Sequence, residues 1–389
     1  MPSFIFSCTY FFSSLLFRYF FGFFLLFFFQ IWSTWKGVGK TFDSWHYLKA
    51  AQNLVQHQEF IQDKSYTTWA LGFPFLLTIF KDSVLLNLLC IVGTYTFFFS
   101  LSEKLFEKTA TKWWLTLVFA FSTPLYLIHH FVWSEAPFVL FLVGCVWSFY
   151  FFAKNNFSKK YAFLFCLFGF LFMSMRNAGL YFIAAINLGI LFFYLFPSIK
   201  KQKSFFLSIY KNPYTRISIL FTLFSSISIW FWWFRAKPTT AGKFATMYSL
   251  AERTLAEEIM NYSDILSRWF VPPAIPLTIR MLLLFVVFIL SLAVLVSVFR
   301  NSENKNHYFQ FVSFLSWVIS FYLIGMLITR TGMRVDAERY LAILYPFLAL
   351  FLGYILEKIN VKNHLKYTLA FLWLIYPLLR TLKNIIFWN

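Results

Sequence analysis

TFDSWHYLKAAQNLVQHQEFIQDKSYTTWALGFP, residues Thr41–Pro74, is the first polar stretch after a long run of phenylalanine and leucine, and its reading decides the fold. It opens on a carboxylate, Asp43, where an apolar helix of membrane length should just have ended. Tyr47, Leu48, Ala51, Leu54 and Val55 then recur at helical spacing, while Lys49, Gln52, Asn53 and Gln56 take the other face. That pattern predicts a short amphipathic helix lying along a bilayer surface. The segment from Leu71 to Phe80 is apolar again, but it is too short to span and is interrupted by Pro74, so it is expected to dip in and return.

Composition agrees with a membrane setting. Of 389 residues, 60% are hydrophobic, 24% aromatic and only 13% charged, and the mean hydropathy is +0.67; soluble domains do not have this balance. The formal charge of +19 would suggest nucleic acid in a soluble protein. Here Lys and Arg fall mostly between apolar spans, where orientation and anionic headgroups account for them, so no nucleic-acid partner is expected. Cys8, Cys90, Cys145 and Cys166 all lie in apolar stretches without a CxxC pair, which argues against a disulfide framework or zinc knuckle.

A first span is expected from Tyr10 to Trp32, uncleaved because it is too long for a signal core and lacks a small-residue cleavage site. Further spans are expected near 83–101, 113–129, 137–153, 161–174, 178–196, 216–235, 279–299, 309–329, 339–357 and 366–386. The sequence therefore predicts an all-α polytopic membrane protein of about eleven transmembrane helices, with 161–174 and 178–196 as a tight hairpin. No repeat or linker divides it, so residues 1–389 are expected to form one membrane domain. Its outer loop 41–74 would carry chemistry, and an outer insertion at 235–278 would hold a second interfacial helix serving as a lid or acceptor region.

Alternate loops are short and lysine-rich, including Lys104, Lys108 and Lys112, then Lys154, Lys159 and Lys160, then Lys358, Lys362 and Lys366. The positive-inside rule places these in the cytoplasm, and with them the N-terminus. The opposite loops hold Asp43, Glu135, Asp336 and Glu338 together with Arg176, Arg330, Arg334 and Arg339. Ionisable groups at span ends are costly and need a reason. Carboxylates can take a proton from a hydroxyl, and arginines can clamp a phosphate through paired hydrogen bonds.

Blander readings stand beside these. Asp43 can be a first-turn acid offsetting a helix dipole, Glu135 a first-turn acid before Pro137, and each arginine a headgroup anchor. Asp336 and Glu338 form a DxE that could hold a divalent metal, although pairing with Arg334 and Arg339 is the simpler use. His46, three residues after Asp43, and His129 with His130 could build a metal or proton-relay site or serve as interfacial aromatics. There is no GxSxG, HExxH, Walker loop or GxGxxG.

FDSWHYLKAAQNLVQHQEF with WALGFPFLL, SEAPFVLF at Ser134–Phe141, SMRNAGLYF at Ser174–Phe182 and ERYLAILYPFLAL at Glu338–Leu350 follow one another in order. As a set they resemble the GT-C superfamily of multi-spanning glycosyltransferases, closest to the bacterial protein mannosyltransferase and lipid A aminoarabinose transferase type, families 39 and 83. The resemblance covers residues 41 to about 350. It departs in having Ser44 after Asp43, where the family often has a second acid, and only Pro74 in the returning Trp/Pro stretch.

The resemblance implies a GT-C-type bundle that moves a sugar from a polyprenyl-phosphate donor to a hydroxyl of a lipid, glycan or protein acceptor, with inversion. Asp43 would be the base and Glu135 a second active-site acid; His46, Tyr47, Arg176, Arg334, Glu338, Arg339 and Tyr340 would contact substrate. No cofactor is required on this reading, with a divalent metal as an open variant. The expected setting is a bacterial inner membrane with the site facing the periplasm or exterior, in contact with membrane lipids. The competing class is a transporter or flippase for envelope glycan precursors, whose polar residues would lie in mid-span.

Overall fold

A computed structural model describes residues 14–58, 61–62, 65–66, 70–199, 211–230, 254–300, 307–329 and 337–388. The sequence supplies helix starts where they are needed. Ser14 accepts from the Phe17 amide at 3.1 Å to begin α1, Leu15–Ser33, and Asp82 accepts from the Val84 amide at 2.8 Å to begin α4, Ser83–Leu105. Between them lie α2, Phe42–His57, a two-residue antiparallel ladder of Ile61–Gln62 with Ser65–Tyr66, and α3, Gly72–Ile79. Helices thus form at both stretches where the sequence predicts them, 42–57 and 72–79.

The chain continues through α5, Thr109–Ala120, α6, Thr123–His130, α7, Glu135–Lys154, and α8, Lys159–Met175. Next, α9 begins as Gly179–Ile190 and runs through a π-helical turn at Leu191–Leu195 into Phe196–Ile199. The remaining described helices are α10 at 213–230, α11 at Leu255–Arg268, α12 at Leu277–Arg300, α13 at His307–Thr329, α14 at Ala337–Ala342, α15 at Tyr345–Lys358, α16 at Asn363–Trp373 and α17 at Ile375–Trp388.

Six of the described stretches are long and apolar enough to cross a membrane: Leu15–Ser33, Ser83–Leu105, Glu135–Lys154, Gly179–Ser198, His307–Ile328 and Asn363–Trp388. The protein is an all-α integral membrane protein. About eleven crossings were expected, and several of the other expected spans are interrupted or only partly described. The expected span at 113–129 is two helices of 12 and 8 residues, because the Ser122 hydroxyl caps Leu125 at 3.2 Å and Pro124 starts a new helix. The one at 339–357 divides between Ala342 and Tyr345, ahead of Pro346. The expected hairpin exists, but its first arm, α8, has 17 residues. The helix from Leu277 is apolar over Leu277–Ile289, and α10 is described only to residue 230.

The centre of the bundle is α7, of which 78% of the apolar window is buried. It forms a hairpin with α8 and packs on α4, while α13 packs on α9 and α5 on α15. Helix direction sorts the charges to two ends. One end has the lysine turns, with Arg18 on Glu103 at 2.6 Å and Lys112 on Glu103 at 3.4 Å. The other has the start of α2, the start of α7, the turn after α8 and the short helix α14. Of the outer insertion, the structure describes α11 and the turn after it. Tyr262, Ile265 and Trp269 are buried there, whereas Leu255, Ile259 and Met260 are not covered by protein. The sequence predicts one apolar side made of Met247, Leu250, Ala251, Leu255, Ile259, Leu266, Trp269 and Phe270; the first three lie outside the described residues, and the rest are divided between core and surface.

Candidate functional site

Two loops far apart in sequence are fastened together before any charge enters the argument. The Gly39 amide donates to the His130 carbonyl at 2.9 Å and the Val132 amide to the Gly39 carbonyl at 3.1 Å, a short parallel bridge between Gly39 and Phe131. Glycine is needed for the approach, since a Cβ at position 39 would lie 2.4 Å from the Phe131 ring. Next along, the Trp133 indole donates to the Thr41 hydroxyl at 2.8 Å, and Tyr47 and Ser134 share a hydroxyl hydrogen bond of 3.0 Å. The start of α2 is therefore held in register against the start of α7.

This register explains why Asp43 is available. The Ser44 hydroxyl accepts from the Thr41 amide at 2.9 Å, so Asp43 is relieved of that capping task although it stays in the first turn of α2. Its Oδ2 instead meets the Arg339 guanidinium at 2.6 Å. The Arg339 Nε donates to Glu135 Oε1, and the Arg176 guanidinium pairs with the same oxygen. Glu135 sits in the first turn of α7 and Arg176 at the C-cap of α8, so each charge also matches the dipole of its helix end.

Two carboxylates and two guanidiniums cancel in charge, which is the condition for burying them. Aromatic rings complete the setting: the Arg339 guanidinium lies 4.6 Å from the Trp133 ring centre and 5.3 Å from that of Tyr340, and Arg176 lies 5.0 Å from Tyr340. Burial is unequal. The side chains of Glu135, Arg339 and Arg176 are 0%, 2% and 9% exposed, but that of Asp43 is 17% exposed. Among the four, Asp43 is the group best placed to meet a molecule arriving from outside. The Tyr47 phenol is buried behind it, and burial pushes its pKa well above the ordinary value, so it is a neutral hydrogen-bonding group at any working pH.

An apolar cavity of about 460 Å3 opens where α3, the end of α8 and α10 meet, lined among others by Leu71, Phe75, Leu76, Phe170, Met173 and Met175. It ends at the turn that carries Arg176, since Met175 and Asn177 both line it. Gly72 allows this close seating, because a Cβ there would fall 2.7 Å from the Ser174 carbonyl oxygen.

The structure thus brings together Asp43, Glu135, Arg176, Arg339, Tyr340 and, through Ser134, Tyr47. Glu338, expected to pair with Arg334 or Arg339, instead accepts from Arg380 at 2.6 Å and from the Trp269 indole at 3.2 Å. Successive helical residues point about 100° apart, so neighbours on α14 serve different networks. The His46 ring packs edge-on against Phe42, with centroids 4.3 Å apart. His129 and His130 are buried, with each Nδ1 on a backbone carbonyl at 2.7 Å, and His130 stacks on Trp388.

Arg330, Arg334 and Asp336 lie outside the described residues. Among the described residues no three His, Cys, Asp or Glu side chains are grouped to hold a metal. Sequence reasoning missed Gly39, Trp133 and Ser134. Only WSE ahead of a span could have pointed to the last two, since neither is charged. Compared with known proteins, the chain matches no family model and no curated protein.

Proposed function

We propose that the protein is a membrane glycosyltransferase of GT-C type that moves a sugar from a polyprenyl-phosphate donor to a hydroxyl acceptor at the outer face of the membrane. The observation that carries this reading is the partly exposed Asp43 on the edge of a buried, charge-balanced cluster containing two arginines. Such a transfer needs a proton acceptor beside cations that can receive a phosphate leaving group. The apolar cavity ending at the Arg176 turn suits the first isoprene units of the lipid.

In the reaction, Asp43 takes the proton of the acceptor hydroxyl while its oxygen attacks the anomeric carbon. The bond from that carbon to the donor phosphate breaks, the electron pair leaves on the phosphate, and Arg176 and Arg339 stabilise its charge. One displacement inverts the anomeric configuration. Glu135, fully buried and paired twice, acts by holding both arginines in place. The acceptor is a lipid, glycan or protein hydroxyl, the setting is a bacterial inner membrane, and the acid and arginine end faces the periplasm.

The test uses membranes containing the protein and a radiolabelled polyprenyl-phosphate sugar. Label should pass to an extractable acceptor, and Asp43→Asn should abolish transfer at unchanged protein level. Full activity in Asp43→Asn would remove the assignment of the base. Absence of transfer from every lipid-phosphate sugar tried, with transport of a glycan precursor instead, would favour the flippase class.

A further inference from the structure

One guanidinium serves both acids of the cluster. Arg339 donates through Nε to Glu135 Oε1 and through NH2 to Asp43 Oδ2, the latter at 2.6 Å. These two nitrogens lie on the same edge of the planar group, so a single cationic edge is shared by two carboxylates. The sharing is unequal. Glu135 has a second cation in Arg176, and its side chain is fully buried, whereas the ion pair described for Asp43 is with Arg339 alone and its side chain is 17% exposed. In this state the group that should accept a proton is occupied by a cation.

We infer that Arg339 is the coupling element of the site: an incoming lipid phosphate draws the NH2 of Arg339 away from Asp43, so that the base is released only when donor is bound. This rests on the transferase reading above. The geometry favours a pivot over a departure. The Nε contact to Glu135 and the flanking Trp133 and Tyr340 rings can hold the guanidinium while its outer nitrogen changes partner. The phosphate offers charged oxygens that match the fork at least as well as one carboxylate oxygen does. Once the cation has turned, the Asp43 carboxylate has lost its ion-pair partner and its oxygen is open to the acceptor hydroxyl. The exchange would make donor binding precede acceptor activation.

The test is site-specific labelling of Asp43 by a lipid-soluble carbodiimide, which adds to protonated carboxyl groups, read by mass spectrometry on the full-length protein in detergent. Wild-type protein is labelled alone, with a polyprenyl monophosphate, and with inorganic phosphate at equal concentration; Asp43→Asn sets the background. Retention of radiolabelled lipid phosphate is measured in the same samples.

Bound lipid phosphate should raise labelling at Asp43 several-fold, because its carboxylate is no longer held in an ion pair. An equal rise with inorganic phosphate would sustain the exchange and take away the part given to the lipid tail. Lipid phosphate that binds without changing Asp43 labelling would overturn the coupling and leave the transferase reading standing. No retention of lipid phosphate would remove both.

Discussion

Asp43 and Glu135 are both acids at the ends of apolar segments, yet the structure gives them different physical tasks. Glu135 is the anion that makes two buried guanidiniums tolerable, so Glu135→Gln should cost about 3–5 kcal/mol, the usual penalty for stripping one partner from a buried ion network. Thermal unfolding in detergent measures it, and a variant melting with the wild type would show that the network does not stabilise the fold. Tyr47→Phe removes one buried hydrogen bond, to Ser134, and should cost about 1 kcal/mol.

Because burial raises the Tyr47 pKa, the phenol keeps its proton through the alkaline range. The alkaline limb of the activity profile should therefore coincide in wild type and Tyr47→Phe; a displaced limb would mean that Tyr47 ionises. Charge at a span end is what made Asp43, Glu135, Arg176 and Arg339 legible in the sequence, since such groups are expensive there. Ser134 and Trp133 have no such signature, because their value comes from what stands opposite them after folding. Glu338 was grouped with Arg339 by adjacency, although a helix turns neighbours to different sides.

At the scale of elements, the decisive contact is the bridge between Gly39 and Phe131, which sets α2 against α7. Gly39→Ala should displace the Phe131 ring or open the bridge, and it should lower transfer many-fold while the helices of the bundle persist by circular dichroism. Gly37 is the comparison. It has φ of +104° and nothing within 4 Å of a Cβ, so Gly37→Ala should cost only about 1 kcal/mol through backbone strain and leave transfer near normal. Equal losses in the two variants would mean that the approach at Gly39 is not what matters. The surface helix α2 was legible from its period, and so was the returning α3. The breaks at Ser122–Pro124 and before Pro346 were not allowed for, because hydropathy averages across a capped interruption that the backbone must obey.

For the molecule as a whole, hydropathy and base composition of the loops predict which end faces which side. Cys90, Cys145 and Cys166 are buried, so a Cys8→Ser background permits single reporter cysteines. A cysteine replacing Gln56, exposed on α2, should react with an impermeant maleimide in intact cells. One replacing Asn155, in the exposed turn between α7 and α8, should react only after permeabilisation; the reverse pattern would invert the orientation and the side on which transfer is sought. The shared cation also has a consequence for how the protein is made. Arg339 lies 296 positions after the Asp43 it pairs with, and 204 after Glu135. At synthesis rates of about 5–20 residues per second, the two acids wait roughly 15–60 and 10–40 s for that partner. A ribosome stalled short of α14 would leave Glu135 with Arg176 alone and Asp43 without its cation, and the unmatched negative charge at the head of α2 would mark that chain as unfinished to membrane quality control.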